Sequence, residues 1–137
     1  MRLDLYQAET ARIAAEQSGL LAQARAILQQ GRALTSLEQG GVLHALQILI
    51  ENAIGKAKQL LKASGQPVPV SGYDAFKALA NHCLIEPADL DAWNAVIGLR
   101  NRIVHDYMNV DMEQVTALVA ENKEQFVVRF LLQEIAL

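Results

Sequence analysis

The chain has 137 residues, of which 52% are hydrophobic and 20% are charged, and its formal net charge at pH 7 is −3. This length predicts a single domain, residues 1–137, that buries a core without disulfides. The acidic balance excludes a surface that binds nucleic acid through bulk positive charge, so any such site must be local.

Three further features bear on location. Cys83 is the only cysteine, which excludes an intrachain disulfide and fits a reducing, cytoplasmic setting. Charged residues and alanines mix from Arg2 onward, so no signal peptide is predicted. The uncharged apolar runs are too short to cross a bilayer, so no membrane association is expected.

The N-terminal part of the sequence predicts two long helices. Apolar side chains recur at helical spacing over residues 2–30, and Gly31 is suited to end that helix. Ser36 and Gln39 resemble a capping box, from which a second helix with a continuous apolar stripe runs over residues 36–62.

A loop and two more helices follow. The segment SGQPVPVSG, residues 64–72, holds two of the three prolines and predicts a loop. Asp74 is expected to cap a short helix over residues 75–83. Pro87 suits the first turn of a fourth helix, which is expected to run to about Met108.

A fifth helix is predicted from Asp111, with Gln114 three residues later, to near the C-terminus. The sequence shows no internal repeat and no glycine-rich phosphate loop. About five helices predict an all-α fold whose longer helices pack as an antiparallel bundle.

The end of the fourth predicted helix concentrates reactive side chains. Arg100, Asn101, His105 and Tyr107 fall within eight residues. The arginine fork fits a phosphate, and histidine moves protons near neutral pH. These residue types match RNA cleavage by internal transesterification, in which a base takes the 2′-OH proton, a cation stabilises the pentacovalent phosphate and an acid protonates the leaving 5′-oxygen.

This motif also carries a resemblance to a known family. Arg100 and His105 match the R-x4-H motif of HEPN-domain ribonucleases. With Tyr107 the pattern becomes R-x4-H-x-Y, and GLRNRIVHDY resembles the HepT toxin branch of that superfamily. The similarity extends from about Leu37 to about Phe126, through LHALQILIENAIGKAKQLL and YDAFKALA.

The resemblance implies a HEPN-type helical bundle that forms a homodimer, with two motifs facing a shared cleft. It also implies a metal-independent endoribonuclease toxin that needs no cofactor. Such toxins are paired with a nucleotidyltransferase antitoxin of the MntA type, which transfers AMP onto the motif tyrosine, here Tyr107.

Helical geometry raises a difficulty for Arg100 and His105. Five residues apart, they differ by ~140° around an ideal helix, which does not aim both at one phosphate. The arginine can curl around the helix, the helix can end near His105, or a second subunit can supply the other group across a two-fold axis.

Asn101 is expected to orient the imidazole of His105. Asp106 and the C-terminal end of the helix favour the charged imidazolium, whereas burial opposes it. Arg102 is expected to be an exposed cation or to contact RNA, rather than to be catalytic.

Simpler interpretations of the motif remain open. Arg100 could pair with a carboxylate, either Asp106 or Asp91. His105 could be a satisfied interior histidine, and Tyr107 a core residue with its hydroxyl at the rim.

Other polar residues predict no second site. His44 and His82 fit no metal-ligand spacing and are expected to be structural. Glu51 and Asn52 interrupt the apolar run of the second helix. They could line the cleft, but solvated or interface positions are expected. Trp93 is expected to anchor the core.

The leading hypothesis is therefore an RNA-cleaving toxin, with RNA, a second copy and a nucleotidyltransferase antitoxin as partners and no DNA. An alternative is a non-catalytic helical dimer that serves as a binding module for a nucleotidyltransferase, which the acidic net charge favours. A third interpretation is a structural bundle whose motif is coincidental.

Overall fold

The structure is a computed structural model that describes residues 2–135. In this part of the chain six α-helices form: α1 (Leu3–Gln29), α2 (Ser36–Ala63), α3 (Gly72–Asn81), α4 (Leu90–His105), α5 (Met112–Ala120) and α6 (Gln125–Leu132). Short 3-10 turns cover Pro87–Asp89 and Tyr107–Asn109, and residues 2–135 include no strand. The prediction of an all-α fold is confirmed. None of the described helices is long and apolar enough to span a membrane.

The first two helices form an antiparallel hairpin. The Tyr6 hydroxyl near the start of α1 lies 3.5 Å from where a Cβ on Gly55, near the end of α2, would be. Gly31 takes a left-handed φ of 82° just after α1, as predicted for a residue that ends a helix without a Cβ penalty.

The cap of α2 lies one residue before the predicted pair of Ser36 and Gln39. Thr35 and Glu38 form the capping box, because each side chain bonds the other's backbone N–H, at 3.1 and 2.9 Å. The Arg32 guanidinium also binds the Glu38 carboxylate, and with Thr35 it lowers the pKa of Glu38 to about 2. Glu38, the third residue of α2, can pair with Arg32 because it is charged. The neutral side chain of Gln39 cannot form such an ion pair.

The third helix begins three residues before its predicted start. Ser71 is the cap, and its hydroxyl accepts the Asp74 N–H at 3.0 Å. Asp74 therefore lies inside the first turn, where a carboxylate complements the helix dipole, and the prediction that it caps the helix is wrong. The helix ends at Asn81, and Cys83 then adopts a left-handed φ of 57°.

The predicted single C-terminal helix is two helices. Asp111 caps α5 as expected, since its Oδ1 accepts the N–H groups of the second and third helical residues. Asn122 then takes a φ of 57°, and the Lys123 N–H bonds back to the Leu118 carbonyl at 2.9 Å. This turn ends α5 in a Schellman motif, so the chain changes direction before α6.

The turn is fixed by a buried ion pair. Glu124 is buried and binds the Arg25 guanidinium of α1, which also donates to the Val119 carbonyl at 2.8 Å. Burial raises the pKa of Glu124, and Arg25 opposes that effect. The break between α5 and α6 thus depends on a long-range contact that periodicity does not show.

Helix α2 occupies the centre of the bundle, where it packs against α1, α3, α4 and α6. Beside it, the Phe76 and Trp93 rings stack with centroids 4.1 Å apart, and Phe126 and Phe130 meet the indole edge-on. Trp93 is buried and anchors the core as predicted. This aromatic cluster fixes α4, the helix that carries the motif, against α3 and α6.

A buried lysine joins the centre of the bundle to its C-terminal end. Lys56 is only 2% exposed, and its ammonium donates to the Phe130 and Gln133 carbonyls at 2.7 and 2.5 Å. Gln7 of α1 donates to the adjacent Leu131 carbonyl at 2.9 Å. Two side chains from two other helices therefore satisfy the last carbonyls of α6, which the helix itself cannot bond.

The motif helix ends earlier than predicted. Asp106 leaves helical geometry with φ −148° and ψ 47°, so α4 stops at His105 rather than near Met108. The next three residues form the 3-10 turn, and the Asn109 amide donates to the Asp106 carboxylate at 2.8 Å. Local bonding of this aspartate competes with the helix and terminates it.

Candidate functional site

Arg100 is held between two helices. Its Nη2 lies 3.1 Å from Glu51 Oε2 on α2, and its Nη1 donates to Asn101 Oδ1 at 3.1 Å. The side chain is 25% exposed, and its Nε–H is buried with no hydrogen-bond partner among the described residues. The guanidinium is thus fixed in place while part of its donor capacity remains unused.

These contacts revise two expectations. The carboxylate that pairs with Arg100 is Glu51, and neither Asp106 nor Asp91. Asn101 was expected to bond the imidazole of His105, but its oxygen accepts from Arg100 instead. Within residues 2–135 the amide therefore orients the arginine, and the predicted bond to the histidine is not formed.

The histidine and tyrosine of the motif lie in a different environment. His105 is the last residue of α4 and is exposed, and Tyr107 on the 3-10 turn is 53% exposed. The interpretations of His105 as an interior histidine and Tyr107 as a core residue are therefore wrong. Val104 and Met108 expose 41% and 90% of their surface beside them. We call these four residues the motif patch.

Arg100 lines a cleft that the motif patch does not enter. The cleft holds about 400 Å³ between α2, the start of α3 and α4, and Glu51 and Asn101 contribute to its wall. Neither His105 nor Tyr107 lines it. As the ~140° separation predicts, one chain places its arginine and its histidine in different surroundings.

Arg102 is exposed on α4, two residues after Arg100. Its Nη1 lies 3.7 Å from where a Cβ on Gly98 would be, one turn earlier on the helix. The guanidinium therefore adds an exposed positive charge to this part of α4. Its contact with RNA stays a prediction.

The ion-pair partner of Arg100 was not predicted from the sequence. Glu51 was expected in a solvated or interface position, yet it forms the ion pair that fixes Arg100. The available signal was a carboxylate within the apolar stripe of a central helix, since a polar group there needs a partner. Asn52 beside it donates to the Ile48 carbonyl of its own helix at 2.8 Å.

The remaining candidate ligands form no second site. His44 and His82 are exposed and lie on different helices or their ends, and Cys83 is a free, exposed thiol. Among residues 2–135, no three His, Cys, Asp or Glu side chains lie close enough to hold a metal ion. The candidate site therefore consists of the residues around Arg100 and the motif patch.

The chain matches a family model and is similar to a nuclease and to two solved structures. A family model described as "Ribonuclease HepT-like" matches residues 18–131. An mRNA nuclease HepT from Shewanella oneidensis is 32% identical over 88 residues, which cover 64% of this chain and 66% of that protein. The matched segment thus spans just under two thirds of that relative.

Two solved structures have the same fold. A crystal structure of a toxin–antitoxin with AMP-PNP matches with a TM-score of 0.65 and 24% identity, over 87% of this chain and 97% of that one. A tri-AMPylated Shewanella oneidensis HEPN toxin in complex with MNT antitoxin matches with a TM-score of 0.63 and 27% identity, over 84% and 93% of the two chains.

Proposed function

The chain belongs to the HepT-like ribonuclease family, and from this we propose that it is a metal-independent endoribonuclease toxin that cleaves RNA by attack of the 2′-OH. The observation that carries the proposal is the arrangement at the end of α4. There a fixed Arg100 and an exposed His105 supply the cation and the proton carrier that this reaction needs.

Each motif residue takes one role in the proposed reaction. The 2′-oxygen forms a bond to phosphorus, and the bond from phosphorus to the 5′-oxygen breaks. His105 accepts the 2′-OH proton, and a second imidazolium protonates the leaving oxygen. Arg100 stabilises the charge on the phosphorane, and Asn101 and Glu51 hold its guanidinium in position. Arg102 contacts the RNA backbone.

The active form in this proposal is a homodimer. One chain separates Arg100 from His105, and a two-fold axis lets one copy supply the group that the other lacks. The exposed apolar side chains of Val104 and Met108 support a covered surface at this point, because a partner would remove them from water. Two histidines across the axis also provide one base and one acid.

We also propose control by a nucleotidyltransferase antitoxin of the MntA type, which transfers AMP from ATP onto Tyr107. The related toxin in complex with MNT antitoxin is AMPylated. Tyr107 suits such a transfer because its side chain is half exposed on a 3-10 turn outside the helices. The phenol oxygen would bond the α-phosphorus as pyrophosphate leaves. The attached AMP would add bulk and negative charge two residues from His105, and so oppose RNA binding.

The proposed substrate is RNA and not DNA, because the reaction requires a 2′-OH. The Shewanella relative is named an mRNA nuclease, which supports mRNA in the cytoplasm as the target. The local charge supports recognition of a few phosphates rather than a long duplex, since the chain as a whole carries −3.

The second candidate is a non-catalytic helical dimer that binds a nucleotidyltransferase. Two observations favour it: the acidic net charge, and the pairing of Glu51 with Arg100, which offsets one of the two cations in the cleft. The two candidates differ in whether the chain alone cleaves RNA, so a cleavage assay on the purified chain separates them.

The purified chain is incubated with single-stranded RNA in EDTA, and with the same sequence carrying 2′-deoxy sugars. The proposal expects cleavage of the RNA alone, with 2′,3′-cyclic phosphate ends and loss of activity in Arg100→Ala and His105→Ala. Growth arrest on expression, lost in both variants, is the parallel result in cells. A tight complex with the nucleotidyltransferase, without cleavage or arrest, supports the binding module instead.

A further inference from the structure

The cleft beside Arg100 has features that RNA cleavage itself does not require. Its apolar floor is made by Ile54 of α2 and Ile97 of α4, and Tyr73 at the start of α3 forms an aromatic wall. Lys58 and Arg100 stand at its edges. An aromatic wall over an apolar floor with cations beside it suits a planar ligand that carries phosphate.

Close packing against α2 and α4 fixes the position of Tyr73. Gly72, its neighbour, approaches α2 so closely that a Cβ there would lie 2.9 Å from the Ile54 side chain. The Tyr73 hydroxyl lies 3.4 Å from where a Cβ on Gly98 of α4 would be. The ring therefore bridges α3 and α4, yet Tyr73 is still 40% exposed. A rigid, accessible ring can stack on a ligand with little loss of side-chain entropy.

The cations beside the ring keep free donors. Lys58 donates to the Val70 carbonyl at 2.6 Å, which fixes the loop before α3 and leaves two of its three N–H groups available. Arg100 uses one N–H on Glu51 and one on Asn101, and its Nε–H is buried, which leaves two N–H groups free. With Glu51 as the one carboxylate in the cleft wall, the cleft carries a net positive charge inside an acidic protein.

We propose that this cleft binds a nucleotide adjoining the scissile phosphate, with its base stacked on Tyr73 and its outer phosphate on Lys58. This inference rests on the proposed function and adds a substrate subsite to it. Single-stranded RNA is recognised largely through bases that stack on aromatic side chains. A cleft of about 400 Å³ accommodates one such base and is too small for a helical segment of a partner protein.

The test measures RNA affinity separately from cleavage. A fluorescent single-stranded RNA of roughly eight nucleotides is titrated into the full chain carrying His105→Ala, which binds without cutting. Adding Tyr73→Ala is expected to weaken binding roughly 5- to 150-fold, the range that loss of one stacking contact gives. Adding Tyr73→Phe, which keeps the ring, is expected to change affinity less than about two-fold.

A lysine pair provides the matched control. Lys58→Met is expected to lower the slope of log affinity against log salt by about 0.7, the value for one phosphate contact on single-stranded RNA. Lys62→Met, one turn further along α2 and outside the cleft, is expected to leave the slope unchanged.

Crosslinking keeps the inference testable if Tyr73→Ala does not fold. An RNA that contains 5-iodouridine is irradiated with the His105→Ala protein, whose Tyr73 is native, and the crosslinked peptide is identified by mass spectrometry. A crosslink at Tyr73 supports the subsite, and crosslinks confined to other peptides overturn it.

The outcomes separate the two proposals. If the unmodified chain cleaves RNA but Tyr73→Ala binds as tightly as its parent, the subsite is overturned and the proposed function stands. If Tyr73→Ala weakens only the complex with the nucleotidyltransferase, the cleft contacts protein and the subsite is likewise overturned. If the chain neither binds nor cleaves RNA, both proposals fail.

Discussion

Glu51 and Arg100 lie 49 positions apart in sequence, and their side chains meet at 3.1 Å between α2 and α4. Both are partly exposed, so the ion pair adds no more than about 1 kcal/mol to the free energy of unfolding. Its larger effect is to fix the direction of the guanidinium, which in the proposed reaction meets the phosphorane in a defined geometry.

We therefore expect Glu51→Ala to lower the rate of RNA cleavage by between about 10- and 100-fold, because Arg100 loses its anchor. The melting temperature should change by no more than a few degrees. Glu51→Gln keeps an oxygen that accepts from Arg100 and should recover most of the rate. Single-turnover kinetics on a defined RNA measures both variants, and an undiminished rate in Glu51→Ala would show that the pair does not position Arg100.

His105→Ala is expected to lower cleavage by roughly 10²- to 10⁴-fold, the usual contribution of a positioned acid or base. The side chain is exposed, so the free energy of unfolding should change by less than about 0.5 kcal/mol. His82→Ala is the matched control, since His82 is also exposed at a helix end but lies outside the motif. Equal losses in both variants would assign the effect to something other than proton transfer by His105.

Tyr107→Phe is expected to abolish AMP transfer by the antitoxin, because the acceptor oxygen is removed. Coexpression with the nucleotidyltransferase, followed by peptide mass spectrometry, should show one or more AMP additions on the Tyr107 peptide of the unsubstituted chain only. Tyr6→Phe serves as the control, since that hydroxyl is half-buried between α1 and α2. AMP on Tyr107→Phe, or none on the unsubstituted peptide, would contradict the assignment.

Val104→Glu is expected to shift the chain from dimer to monomer and to abolish cleavage, because it places a charge in the proposed interface. Leu20→Glu is the matched control: Leu20 is 44% exposed, close to Val104 at 41%, but lies on α1 away from the motif. Light scattering gives the mass, and circular dichroism checks that both variants remain helical. A Val104→Glu dimer with full activity would place the interface elsewhere.

Stability is expected to rise with pH above neutrality because of Lys56. Burial lowers its pKa to about 8, against an ordinary value of 10.5, while Glu134 acts in the opposite direction. Between these values the unfolded chain binds more protons than the folded one, so the free energy of unfolding increases as pH rises. Below pH 8 both states are protonated, and the contribution is constant.

Thermal unfolding between about pH 7 and about pH 10 measures this effect as the difference between the unsubstituted chain and Lys56→Met. That difference should grow with pH in favour of lysine, whose neutral amine still has two N–H donors for the α6 carbonyls. Lys62→Met, on the exposed last turn of α2, should show no such trend. A pH-independent difference for Lys56→Met would mean that the lysine titrates normally.

Local sequence signals predicted much of the fold because they act within a turn or two. Gly31 marks the end of α1, and Asp111 caps α5, since each effect depends on one residue's backbone preference or side-chain reach. The predicted cap of α2 was wrong by one residue because two adjacent residues, Thr35 and Ser36, can both cap a helix. There the choice followed from the Arg32 ion pair with Glu38, which lies across the turn between two helices.

The break at Asn122 and the role of Glu51 were not predictable in the same way. Both depend on partners far away in sequence, Arg25 for the turn at Glu124 and Arg100 for Glu51. The sequence did indicate that Arg100 and His105 diverge on one helix, because the angle between them follows from helical geometry alone. Whether a second chain reunites them depends on surfaces that spacing does not describe.

The contacts of Lys56 also set the order in which the fold can be completed. Its acceptors lie at positions 130 and 133, at the end of α6, more than 70 residues after the lysine in the sequence. Until α6 has emerged and packed, the ammonium on α2 lacks these carbonyl acceptors and must stay hydrated. During translation the ammonium therefore cannot be buried at low cost before α6 has emerged, so we expect close packing around Lys56 to be among the last steps of folding.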